Sequence, residues 1–404
     1  MAIDPAGKRA NMNLIVSLLV LAFAAFGQTD DPAQLGKHAA LLMSLGKYAE
    51  AEPLLTQTLE LQEKSNGPDD FSLTAPLTAL ATLYRAEGRN PEAQKLYTRS
   101  LAIREKASGA NSLDLIPNLR SLARLNVAMA QNGPAELAYL RIISIREKAR
   151  GPDDLDLAND CMELATYYIG RERFAVAEPN LRRAIRIIEK AVDLSAPALV
   201  PVFDPLVTVY MKQEKYAEAE PLLRRAIAIE ESIYGPINEN VANYVDRLGL
   251  VFYLQERFAD AQPLYERSLA IWEAKLKPID PELANSLDSL AVVYAKQEKF
   301  ALAEPLYRRS LAIREKVTVD SMNNLGLTLE GKGDFAAAES VYRQGIAEAE
   351  HIPVLKGRAN VNEAAALGDT LRNYSILLRN QKRDAEAAKL EARRRVLLKL
   401  DQKP

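Results

Sequence analysis

The chain has 404 residues, with 52 basic and 54 acidic side chains. So balanced a charge argues against a protein whose main task is coating nucleic acid or an acidic membrane. Two histidines and one cysteine leave little material for a transition-metal site or a histidine relay, and an internal disulfide is impossible.

The chain opens on Lys8 and Arg9, then the apolar run Leu14–Phe26, then a polar "GQTDDPAQ". A basic flank, a short apolar stretch and the triplet Ala22-Phe23-Ala24 read as a secretory signal peptide over residues 1–27, with Ala25-Phe26-Gly27 as a second cleavage site. The run is short for a bilayer span, so no membrane span is expected after cleavage. The mature protein is expected to be exported, periplasmic or secreted. A start at Met12 would remove both basic residues and the basis for that reading.

From Lys47 onward one phrase recurs. Copies begin at Lys47, Arg89, Gln131, Arg173, Lys215, Arg257 and Lys299, each forty-two residues after the last, then at Asp334 after a shorter step and Arg383 after a longer one. A fixed spacing of this length marks a stacked repeat array. The segment ahead of each copy is helical by its apolar period: in "SLDSLAVVYAKQEKF", Leu287, Leu290, Ala291 and Tyr294 share a face. The copy itself places Ala303, Leu306, Tyr307, Ser310 and Leu311 on one face. The short polar "AKQEK" between them makes the two helices an antiparallel hairpin. Pro53, Pro179, Pro221, Pro263 and Pro305 recur at one place, which predicts that the second helix begins just before them. "GPDD", "GPIN" and "KPID" follow it as breakers.

Spacing alone also suits HEAT or armadillo arrays. The side chains discriminate. Ala261-x3-Tyr265-x2-Ser268 and Ala303-x3-Tyr307-x2-Ser310 follow helices carrying Leu248-Gly249-x2-Phe252 and Leu290-Ala291-x2-Tyr294. Small residues let two helices approach and the aromatic fills the gap beside them. This pattern resembles the tetratricopeptide repeat in its long form, as in kinesin light chains and many bacterial repeat proteins. The resemblance covers residues 33–400. It implies an all-α, right-handed superhelical solenoid of about nine helix-turn-helix repeats, whose first helices line a concave groove that holds a peptide or partner segment. At the last unit, Glu391 and Arg394 stand where Tyr307 and Ser310 stand, so that helix reads as a polar cap.

The sequence holds no Gly-rich phosphate loop, no G-x-S-x-G and no H-E-x-x-H. His38 takes a core leucine's place and His351 falls in the irregular segment after the eighth unit. Cys161 reads as a small core residue, and Glu50 and Glu52 as acidic residues suited to a helix start. Arg372, Arg379, Lys382, Arg383, Lys389 and Arg393 to Arg395 read as a solvated cap, with no nucleic acid expected. Trp272 takes a place held elsewhere by Gln62, Arg104, Arg146, Ile188, Glu230 and Arg314, which predicts partial exposure.

On the first helices, Asp204, Asp246, Asp288 and then Asn323 lie two before the recurring leucine. Asn159, Asn243 and Asn285 lie five before it. Their spacing makes two parallel rows, read as acceptors for a partner segment carrying basic residues. In the resembled kinesin light chains an Asn-Asn-Leu holds a cargo peptide's backbone. Here Asn323-Asn324-Leu325 matches in full and Asn373 in part. These readings imply a non-catalytic protein-binding scaffold with no cofactor and no metal. The alternatives are a structural component of a homo-oligomeric envelope assembly, with Trp272 at an interface, and a hydrolase with carboxylates in the groove.

Overall fold

The computed structural model describes residues 31–192, 197–314, 319–351 and 361–400. The signal-peptide reading lies outside the described residues. The contacts divide the chain into two units, Met1–Val192 and Asp193–Pro404, each an all-α stack of antiparallel helix hairpins.

In the first unit the hairpins are α1 (Pro32–Ser44) with α2 (Tyr48–Asn66), and α3 (Thr74–Ala86) with α4 (Asn90–Ser108). They continue with α5 (Ile116–Ala128) and α6 (Asn132–Arg150), then α7 (Leu155–Ile169) and α8 (Phe174–Ala191). The second unit begins with α9 (Val200–Lys212) and α10 (Tyr216–Tyr234), α11 (Glu239–Leu254) and α12 (Phe258–Lys275), and α13 (Pro281–Lys296) and α14 (Phe300–Ile313). It ends with α15 (Val319–Gly331) and α16 (Phe335–His351), then α17 (Val361–Asn380) and α18 (Asp384–Leu400). Hence His351 closes a helix, where the sequence suggested irregular chain.

Each hairpin turns the same way. The turn residue has a left-handed backbone: Gly46, Gly88 and Gly333 do so without a Cβ, whereas Ala130, Glu172, Glu214, Glu256, Glu298 and Lys382 do so against their Cβ. The next amide then donates back to a carbonyl five residues earlier, as from Lys47 to Leu42 at 2.9 Å and from Arg257 to Phe252 at 2.9 Å. This closure satisfies carbonyls that the helix end would otherwise leave bare.

The breakers between hairpins act as caps. Asp70, Asp154, Asn238 and Asp280 each accept from the backbone amide two residues on, at 2.8–3.1 Å. The recurring prolines are a turn and a half inside their helices, not at the start, since α2, α8, α10, α12 and α14 each begin five residues earlier. A proline there releases one first-turn carbonyl, at Ala49, Ala175, Ala217, Ala259 or Ala301. All five residues are exposed, so water takes the missing donor's place.

Within a hairpin a small residue of the first helix faces a large one of the second. Ala81 packs with Tyr97 and Ala291 with Tyr307 in shared cores. At Gly249 a Cβ would stand 3.0 Å from the Tyr265 ring, and at Gly326 it would enter the Tyr342 ring. One turn on, Ser100, Ser268 and Ser310 are fully buried, and their hydroxyls donate to Thr74, Ala242 and Ala284 carbonyls at 3.1–3.5 Å.

Neighbouring hairpins are joined by a polar clasp. Glu52 accepts from the Tyr84 hydroxyl at 2.9 Å and from Arg89 at 3.0 Å. Glu136 does the same with Tyr168 and Arg173, and Glu339 with Tyr374 and Arg383. Glu52 is therefore a link to the next repeat more than a helix-start charge, and the Arg89 and Tyr84 hydrogen bonds hold its carboxyl below the usual range. Where the first member is Gln94 the others change with it: its amide donates to Asn126 at 2.8 Å and Gln131 at 2.7 Å.

The final helix departs from the pattern. Glu391, at the tyrosine's place, is half-buried and pairs with Arg379 at 2.7 Å, and the Arg394 side chain donates to the Gly368 carbonyl. Tyr307→Ala is expected to cost about 3 kcal/mol in a urea titration, as truncation of a buried aromatic does. Glu391→Ala, removing a surface ion pair at the equivalent place, is expected to cost under about 1 kcal/mol. Similar losses from both would show that the last helix is packed like the others and is not a polar cap.

Candidate functional site

The first helices carry the candidate residues, and the two units differ. In the first unit, α5 and α7 wall an open cavity of about 1070 Å³ lined by Arg120, Arg124, Tyr139, Arg146, Glu163 and Arg171 among others. Asn159 is exposed on this wall. Arg120 donates to Asp160 at 2.6 Å and to Glu163 at 2.5 Å, and Arg124 donates to the other Glu163 oxygen at 2.6 Å. From α6, Arg146 meets Asp160 and also reaches Asp156 at 2.8 Å. The Asp160 side chain is 1% exposed, so this carboxylate is held by two guanidiniums away from water. Tyr139 and Tyr167 lie 5.6 Å apart, and Arg171 stands 4.1 Å over the Tyr167 ring.

Sequence reasoning named Asn159 here and missed the arginines. Their signal was present. Arg120 occupies the register place that Asp204, Asp246 and Asp288 hold in the second unit, and Arg146 the place of Trp272. Cys161, beside Asp160, is buried, and burial pushes its thiol up to about 11, consistent with a core residue.

In the second unit the aspartate row is not a line of open acceptors. Asp204 accepts from the Tyr244 hydroxyl at 2.8 Å and from Arg247 at 2.5 Å, both on the next first helix. Asp246 accepts from the Trp272 indole N–H at 3.1 Å. Burial pushes the Asp246 carboxyl above its usual range, against the Ser268 and Trp272 hydrogen bonds that favour its charged form. Asp288 accepts from Arg314 at 2.7 Å and from the Ser321 hydroxyl at 2.9 Å. Each aspartate is spent on the fold. The physical reason lies in the partners: a carboxylate at a half-buried place is tolerated when a donor from the same hairpin or the next one meets it.

Trp272 is accordingly buried, 7% exposed, where the sequence suggested exposure. Its ring replaces a long polar side chain because Asp246 accepts its one polar hydrogen. An interface role for it loses its basis.

The asparagines separate. Asn243 and Asn285 are exposed, Asn243 lining a hollow of about 430 Å³ with Asp204, Glu230, Tyr244 and Arg247. Asn285 accepts from Arg314 at 3.0 Å. Asn323, first of the Asn-Asn-Leu triplet, is 8% exposed and accepts from the Asn373 amide at 2.9 Å. These two tie α15 to α17 and leave little for a ligand. Asn324 is half-buried and lines a hollow of about 380 Å³ with Tyr253, Val292, Lys296 and Leu327. Among the described residues no three histidine, cysteine, aspartate or glutamate side chains are placed to hold a metal ion.

The tetratricopeptide repeat model matches residues 33–106, 72–148, 203–274, 241–316 and 282–351, more than half of the chain. Among solved structures the chain is similar to the apo form of RapI, at 12% identity and a TM-score of 0.57, over 91% of this chain and 98% of that one. It is also similar to a signal transduction ATPase with numerous domains and a tetratricopeptide repeat sensor, PH0952 from Pyrococcus horikoshii. That match has 15% identity and a TM-score of 0.53, over 85% of this chain and 52% of that one. BtubC (BKLC) from P. vanneervenii matches at 21% identity and a TM-score of 0.46, over 56% of this chain and 90% of that one. No curated protein matches the chain. At these identities the structural likeness shows the fold.

Removing one member of the buried network gives a direct test of its geometry. Asp160→Ala leaves Arg146 covered and without its buried carboxylate, and is expected to cost about 3 kcal/mol or more in chemical denaturation. Asp288→Ala, at a place more open to water, is expected to cost about 1 kcal/mol. The two costs being equal would refute a buried network in the first unit.

Proposed function

The chain belongs to the tetratricopeptide repeat family, and from that premise we propose that it is a non-catalytic scaffold whose first helices hold a segment of a partner protein. One observation carries this reading: the residues that stack the repeats recur, while the exposed residues on the first helices change in chemistry from repeat to repeat. Alanine or glycine, tyrosine and serine recur in the hairpin cores. At one register the exposed residues are Arg124, then Thr166, Thr208 and Leu250. A surface that varies over a fixed frame is suited to recognition. Catalysis by paired carboxylates has weak support on this face, since Asp204, Asp246 and Asp288 are each tied to a donor of the fold.

The test is site-directed photo-crosslinking in the full chain with partners from the native host. A photoreactive side chain at Asn243 or Thr166 is expected to capture a protein. The same group at Arg308, exposed on the second helix α14, is expected to capture none. Capture from Arg308 alone would place binding on the outer helices and overturn the reading.

We further propose that the mature protein is exported, on the basis of the basic flank and apolar run at residues 8–26. Sequencing the amino terminus of the protein from its native host is expected to give a start near Ala25 or Gln28. Full-length protein retained in the cytosol would refute it.

A further inference from the structure

The second unit has a feature that its own stacking does not require. Leu250, Val292, Leu327 and Ile376 occupy one register position on α11, α13, α15 and α17, each directly after the small residue that abuts its own hairpin's second helix. Because the small residue faces inward, the next side chain along the helix is turned about 100° away from it. Leu250 is 39%, Leu327 43% and Ile376 42% exposed, and Val292 is half-buried. In the first unit the same position holds Ala40, Thr82, Arg124 and Thr166.

A single exposed leucine means nothing, and short pairs such as Leu137 with Leu140 and Ile237 with Ile279 are also exposed in this chain. Four aliphatic side chains at one register in four consecutive hairpins form a stripe. The hollow of about 380 Å³ opens along it, with Val292 and Leu327 in its wall beside Tyr253, Lys296 and Asn324. Two turns before the stripe, Asp320 and Asp369 are exposed at equivalent places on α15 and α17. Partial burial, and after it the charge of Asp369, holds the Asp320 carboxyl above its usual range. Arg372, exposed one turn after Asp369, and Arg379, two turns further and paired with Glu391, are cations on that edge of α17.

We infer that this stripe binds an extended segment of another protein that presents aliphatic side chains at every third residue and a lysine or arginine over Asp320 and Asp369. The inference rests on the scaffold reading above and specifies its ligand. The spacing follows from geometry: packed helices lie about 8–10 Å apart, and an extended chain advances about 3.1 Å per residue, so about three residues span one step. The charge follows from complementarity. A cation placed between the two exposed carboxylates relieves their repulsion, whereas an acidic residue adds to it. The aspartates that sequence reasoning chose for this role, Asp204, Asp246 and Asp288, are neutralised or covered within the fold, and the basic end of the ligand belongs at Asp320 and Asp369 instead.

The experiment is fluorescence anisotropy on the full chain with a synthetic peptide of leucine at every third position, serine between, and two lysines at one end. Its controls replace the leucines by serine or the lysines by glutamate. Each control is expected to bind at least about tenfold more weakly than the parent peptide. Leu327→Ser with Ile376→Ser is expected to lower affinity for the parent peptide by a similar factor, with the helical circular dichroism unchanged. Leu137→Ser, an exposed change in the first unit, is expected to leave it as it was. Equal binding of the serine control, no binding of the parent peptide, or full affinity in the doubly substituted chain overturns the stripe. A broad peptide array on the same chain separates the two readings. Binders that ignore the substitutions sink the stripe and leave the scaffold standing, whereas an array with no binder sinks both.

Discussion

Each hairpin closes where a small residue on the first helix meets a bulky one on the second. The contact is volume-complementary: Gly249 and Gly326 lie against the Tyr265 and Tyr342 rings, Ala81 against Tyr97. In the second unit Val207, the larger small residue, shares its hairpin with Leu223, the smaller bulky one, and both are buried. Interior packing at crystal-like density leaves little slack for a mismatch, although Ala39 with Leu55 and Ala165 with Leu181 are buried too. The buried serine one turn on depends on the same closeness, because its hydroxyl reaches the first helix's carbonyl only when the backbones are near. With the hairpin fixed by this contact, the direction of every side chain on the first helix is fixed too.

Stacking of hairpins is a separate problem, solved with polar groups. The Glu52, Tyr84 and Arg89 set recurs as Glu136, Tyr168 and Arg173, and changes as a whole into the amides Gln94, Asn126 and Gln131. At Gln262 only the first member changes: Lys299 still donates to it at 2.8 Å, and the Tyr294 hydroxyl turns to Glu266 instead. The same need for a donor accounts for the aspartates of the second unit. They lie at half-buried places within or between hairpins, where a carboxylate costs free energy unless something donates to it, and Arg247, Trp272 and Arg314 are the donors.

Much of the fold was legible because its causes are local or periodic. The forty-two-residue spacing, the breakers and the small-aromatic pattern are all visible along the chain. The prolines were placed slightly wrongly, since a helix start has room for one wherever the released carbonyl is open to water. Less of the candidate site was legible. Asp246 meets Trp272 from 26 residues away, Asp204 meets Arg247 from 43, and Asn323 meets Asn373 from 50. A row of like residues looks the same in sequence whether its members face solvent or one another. Reading each register position down all the repeats recovers part of this: Arg120 stands where the aspartates do and Arg146 where Trp272 does, and both turn to Asp160.

That pairing also limits where recognition can act. A position whose side chain completes a neighbour's hydrogen bond cannot change alone, so it is poorly suited to following a partner's chemistry. Positions such as Thr166, Thr208, Leu250 and Leu327 are exposed and less tightly bound to the frame. They follow the inward-facing small residue and change along the array from polar to aliphatic. Specificity in such an array is therefore written one residue past the packing contact. The tight hairpin closure makes it possible, because it holds that residue in a defined direction without using its side chain.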